Sequence, residues 1–140
     1  MLAKKFLKKE FYLPAGNGKV AYCLRREMGE AIANTLLQNN DTSKIYELTG
    51  SELYSYKDVA EILSEIAGEV VPYINADAVT FPGIMKQLGV PERMIMIASG
   101  FTTDIRNQQY EIVSTDLEQL LGKKPMNLNE VLKEMNAPKI

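Results

Sequence analysis

The sequence predicts a mixed α/β (or α+β) protein with a small, mostly parallel sheet of about three strands and several helices. Three observations carry that expectation. Segments that read as strands, Val20–Leu24, Lys44–Leu48 and Val70–Ile74, come at or before the middle of the chain. Apolar residues at three- and four-residue spacing accumulate after them. Glycines and capping pairs separate these segments where elements should start and stop.

The elements follow in order. Met1 to Glu10 is basic, with Leu2, Phe6 and Leu7 at helical spacing, and reads as a solvated helix packing its apolar stripe on its own protein. Tyr12 to Lys19 holds Pro14, Gly16 and Gly18 and reads as a turn-rich loop. Val20-Ala-Tyr-Cys-Leu24 is apolar on both faces, as a buried strand is. From Glu27 onward, Met28, Ala31, Ile32, Thr35 and Leu36 mark an amphipathic helix that stops at Asn39-Asn-Asp41. Lys44 to Leu48 reads as a short strand and Thr49-Gly50 as its turn.

Ser55 and Asp58 have capping-box spacing ahead of a helix burying Val59, Ile62, Leu63 and Ile66, which ends at Gly68. Val70 to Ile74 is a strand placed at a sheet edge, because Pro72 has no ladder donor. Helical patterning resumes near Thr80 and closes at Gly89. Pro91 suits the first turn of a helix presenting Met94, Ile97, Ala98, Phe101 and Ile105, with Gly100 weakening its middle. Thr115 with Glu118 caps a short helix ending at Gly122, and Asn127 with Glu130 opens the last one.

Composition narrows the function. A net charge of -2 with 24% charged residues gives no bias toward nucleic acid or a membrane surface. No apolar run has the length of a membrane span, and the N-terminus lacks the pattern of a secretion signal. A lone cysteine excludes an internal disulfide and fits a reducing cytoplasm; Cys23, in an apolar run, reads as a small buried hydrophobe. The absence of histidine removes the commonest general base and zinc ligand, and no carboxylates cluster in sequence, so no metal site is expected.

The motifs are weighed by their context. Gly16-Asn-Gly18-Lys-Val-Ala21 matches G-x-G-x-x-A, but a proline-containing loop precedes it and a strand follows. Pyrophosphate sits on a helix N-terminus, so this match reads as a β-turn, and no cofactor-binding residue is assigned. Tyr22, Tyr46, Tyr54, Tyr56 and Tyr73 all lack a lysine four residues later, and no catalytic residue is assigned. Arg25-Arg26-Glu27 follows a predicted strand and opens a helix, where ligands of open α/β sheets gather; the alternative is a surface pair completing salt links. Met94, Met96 and Phe101 could line an apolar pocket, or be core.

Four segments stand in order: Gly18-Lys-Val-Ala-Tyr with Arg26-Glu-Met-Gly-Glu-Ala-Ile-Ala33, Tyr46-Glu-Leu-Thr-Gly50, the helix opened by Ser55, and Ser114-Thr-Asp-Leu-Glu-Gln-Leu-Leu-Gly-Lys-Lys-Pro125. That order resembles the later half of NmrA-like atypical short-chain dehydrogenases/reductases, in particular bacterial NAD(P)H:quinone oxidoreductases. Glu27 stands where the family has aspartate, and Pro82-Gly83 departs from its usual helix.

The resemblance implies that residues 1–140 form a single substrate-side domain, truncated relative to the family and without its N-terminal Rossmann half. NADP or NAD would then be a cofactor of the full-length family and of no residue in this chain. A quinone-like small molecule would be the substrate, met by the candidates Arg25, Arg26, Glu27, Met94 and Phe101. The chain alone would not turn over. Its expected partners are a second copy or a separate Rossmann half; the alternative is a dimeric binding or regulatory module.

Overall fold

A computed structural model describes residues 10–38 and 43–136. The helix expected from Leu2, Phe6 and Leu7, and the Asn39-Asn-Asp41 stop, lie outside the described residues. The elements run β1 (Phe11–Leu13), β2 (Lys19–Val20), α1 (Arg25–Leu37), β3 (Tyr54–Ser55), α2 (Tyr56–Ala67), β4 (Tyr73–Asn75), α3 (Phe81–Gln87), α4 (Glu92–Arg106), α5 (Asp116–Leu121) and α6 (Leu128–Asn136). The mixed α/β class is as expected: several helices with a small parallel sheet. Among the described residues no helix is long and apolar enough to cross a membrane.

The chain divides into two compact units, Met1–Val20 with Ser55–Glu111, and Ala21–Tyr54 with Ile112–Ile140. In the first, β1 and β4 pair in parallel, with Phe11 opposite Tyr73 and Leu13 opposite Asn75. The Phe11 N–H donates to the Pro72 carbonyl at 2.8 Å and the Ala76 N–H to the Leu13 carbonyl at 3.1 Å, extending the ladder at both ends. β4 begins at Tyr73, three residues later than expected. Pro72 has no N–H to give, so it serves the ladder as an acceptor just outside the strand.

The core of this unit gathers Ala76, Phe81, Met85 and Ile95, with Tyr12, Leu13, Val90 and Ala98 packed against them. Ser55 caps α2 as its spacing predicts. Its Oγ accepts the Asp58 N–H at 3.2 Å, and Asp58 Oδ2 accepts the Ser55 N–H at 2.7 Å. Gly68 closes the helix at φ 69°, a conformation that costs glycine nothing.

On α4 the buried side overlaps the expected one only at Ile105 and at Ala98, which packs on the core. Ile95, Thr102 and Ile105 face inward, while Met94, Ile97 and Phe101 are exposed. Met94-Ile-Met-Ile97 offers two apolar stripes to a 3.6-residue period, and packing against α3 selects one. Thr102 is tolerated inside because its hydroxyl donates to the Ala98 carbonyl at 2.8 Å.

In the second unit, α1 and α5 pack together around Ala31, Leu117, Leu120 and Leu121. The expected α1 face is only partly used: Ala31 is buried, but Ile32 and Leu36 are exposed. Ala21–Leu24 and Lys44–Leu48 do not form strands. Gly50 donates to the Ala21 carbonyl at 3.2 Å, and a Cβ on Gly50 would lie 2.0 Å from the Tyr22 carbonyl oxygen. The segments therefore run in close contact, but without the repeated backbone pairs that define a ladder. Asn127 and Glu130 make the predicted reciprocal cap of α6, at 2.8 and 2.9 Å.

Candidate functional site

The first unit contains an apolar cavity of about 330 Å³ between β1, α3 and α4. Phe11 and Leu13 come from β1, Phe81 and Met85 from α3, and Met94 and Ala98 from α4. Among the described residues, Glu10 is the one charged residue on its wall. A cavity of this size with few polar groups suits a small, weakly polar molecule. The Tyr12 and Phe81 rings meet at 6.2 Å, which stiffens the wall shared by β1 and α3.

Beneath β1, Phe11, Tyr56 and Tyr73 form a ring series, with Tyr56 stacked on Tyr73 at 6.0 Å. The Tyr73 hydroxyl lies 3.2 Å from the Leu13 carbonyl oxygen and 3.1 Å from that of Gly16. Its proton is thus committed to the chain that carries the pocket wall. Burial pushes the Tyr73 phenol above its ordinary value. Tyr54 in the second unit is pushed up to about 12, first by burial and then by donating to Glu52. A tyrosine acid for reduction needs its pKa lowered, so these two are moved in the opposite direction.

The Gly16–Ala21 segment forms the expected turn. The Gly18 N–H donates to the Ala15 carbonyl at 3.4 Å, and Gly16 has φ 59°. A Cβ on Gly18 would fall 1.8 Å from the Ile105 carbonyl oxygen, so this glycine is required by close packing on the end of α4. The segment runs on into β2 and not into a helix N-terminus, where pyrophosphate is held in the dinucleotide fingerprint.

The sequence-named candidates fall in both units. Met94 lines the pocket; Phe101 lies outside its wall, against Tyr110 at 6.3 Å. Arg25, Arg26 and Glu27 open α1 in the second unit. Arg25 is exposed, and Arg26 pairs with Glu134 at 3.1 Å, as in the salt-link reading. Glu27 is only 4% exposed; its Oε1 accepts the Met126 N–H at 3.0 Å. Cys23 donates to the Leu48 carbonyl, and burial, then Glu27, raise its thiol above the ordinary value. Phe11, Phe81 and Met85 were not singled out from sequence. Phe81 and Met85 are four residues apart on one helix, but Phe11 stands 70 positions before Phe81, so no local signal could have joined all three.

No family model matches the chain. It is 28% identical over 109 residues to an NAD(P)H azoreductase of Xenophilus azovorans, covering 78% of this chain and 35% of that one. It is 26% identical over 117 residues to quinone oxidoreductase 2 of Escherichia coli, covering 83% and 41%. Among solved structures, the Citrobacter sp. triphenylmethane reductase complexed with NADP(H) superposes with a TM-score of 0.84 at 26% identity, covering 95% and 46%. Its homologues and structural neighbours are NAD(P)H quinone oxidoreductases and related reductases of the NmrA-like, short-chain dehydrogenase type. The chain spans less than half the length of these relatives. They agree with the resemblance read from its four segments.

Proposed function

We propose that this chain provides the acceptor-binding side of an NAD(P)H-dependent reductase whose acceptor is a quinone or a comparable planar electrophile. The cavity between β1, α3 and α4 carries this reading: it is apolar, aromatic on two walls and of ligand size. The dinucleotide would supply the hydride, and in this reading no residue of this chain holds it. What the chain contributes is a dry, rigid seat: Phe11, Phe81 and Met85 exclude water, and the β1–β4 ladder fixes the wall's position. By itself the chain binds acceptor and does not turn over.

Ligand-observed NMR with menadione tests the seat. Saturable binding is expected for the 140-residue chain, and Met94→Glu, at the exposed lip of the pocket, should abolish it while the circular dichroism spectrum stays unchanged. No binding by the unaltered chain, or equal binding by the variant, would overturn the reading. Calorimetry with NADPH should give no saturable heat; tight binding would place the dinucleotide grip in this chain.

A second reading is a dimeric binding module, favoured by the exposed Ile32, Leu36 and Leu37 on α1, at 54, 80 and 81%. Light scattering decides it, a monomer at all concentrations counting against it. Both readings suit a reducing cytoplasm.

A further inference from the structure

We infer that the acceptor of this pocket carries a short apolar tail, and that the tail lies along the outward stripe of α4. The inference rests on the acceptor-seat reading and names the substrate class more closely. Met94 belongs to the pocket wall and is also the first member of a series, Met94, Ile97 and Phe101, on one face of α4. These side chains are 51, 41 and 56% exposed, so an apolar strip starts at the pocket and continues outside it. The strip borders the buried side of the helix, which is made by Ile95, Thr102 and Ile105.

Two further features make it a bed for a chain-like group. Gly100 stands one turn after Ile97 and contributes no side chain; nothing lies within 4 Å of where its Cβ would be. At the far end the Phe101 ring leans on Tyr110 at 33°, giving the strip a paired aromatic end. From Met94 to Phe101 the strip runs about 10 Å, at ~1.5 Å per residue. That is the reach of a short isoprenoid tail and more than any small ring substituent spans. An amphiphilic quinone would place its ring between Phe11, Phe81 and Met85 and its tail over Ile97 and Phe101.

The test compares menadione with its geranyl-substituted homologue on the 140-residue chain. Covering on the order of 60 Å² of tail is worth about tenfold in affinity. The geranyl compound should therefore bind about tenfold more tightly than menadione. The double variant Ile97→Ser, Phe101→Ser, which changes exposed residues outside the pocket wall, should erase that gain and leave menadione affinity unaltered. A geranyl gain that is absent, or that survives in the double variant, overturns the tail site while the ring seat stands. Failure of menadione itself to bind removes the seat and the tail site together. If the double variant converts a dimer to a monomer by light scattering, the strip is an interface between copies and the tail site is wrong.

Discussion

The carboxylate of Glu27, in the first turn of α1, accepts the backbone N–H of Met126 at 3.0 Å across 99 residues of sequence. The contact ties the start of one helix to the segment that leads into α6. Its other oxygen is buried with no hydrogen-bond partner among the described residues. Glu27→Ala leaves the Met126 N–H without an acceptor in a closed site, which should cost about 1–3 kcal/mol. Glu27→Gln keeps an acceptor and should cost less. Urea denaturation followed by circular dichroism ranks the two, and equal stability of all three proteins would show that this contact contributes nothing.

The capping box of α2 should make stability depend on acid. Burial pushes the Asp58 carboxyl up, but the Ser55 N–H and hydroxyl, with Lys19 and Lys57, outweigh it and hold it below its ordinary 3.8. A depressed folded pKa means that the contribution is full above the unfolded value and is lost as pH falls through the folded one. Asp58→Asn should therefore cost stability at neutral pH, about 1 kcal/mol. The deficit should shrink once the pH falls below about 4, the ordinary range of an unfolded aspartate. Denaturant midpoints at pH 7 and pH 3 measure both values.

Glycines of the two kinds should respond in opposite directions to alanine. Gly18→Ala drives a methyl into the Ile105 carbonyl and should cost about 1–3 kcal/mol or more. Gly100→Ala, inside α4 with open space around it, should stabilise by about 0.5–1 kcal/mol through helix propensity. Thermal melts of the two variants check the signs. Gly100→Ala also leaves the Met94, Ile97 and Phe101 side chains in place.

Cys23 should resist modification in the folded chain. Burial, reinforced by the Glu27 charge, lifts its thiol above 9.0, and the thiolate is the reactive form. Reaction with a thiol reagent at pH 8 should be at least about tenfold slower in buffer than in denaturant. Equal rates would mean that the Cys23 environment is open.

Local chemistry was legible wherever a few neighbouring residues decide a conformation. The Ser55–Asp58 and Asn127–Glu130 caps, the Gly68 and Gly122 stops and the Gly16–Gly18 turn each depend on residues within four positions of one another, and each forms as read. The order of the four segments was also enough to identify the relatives. Tertiary structure decided what local pattern leaves open. Phe11–Leu13 became a strand because Tyr73–Asn75 arrives beside it, and Ala21–Leu24 did not, because its neighbour at Gly50 gives it one backbone bond. Met94-Ile-Met-Ile97 fits two helical faces equally, so only packing on α3 could bury Ile95 and leave the Met94 stripe beside the pocket. Capping and turns are settled by short-range hydrogen bonds, whereas strand pairing and the choice of a buried face depend on partners that sequence spacing does not specify.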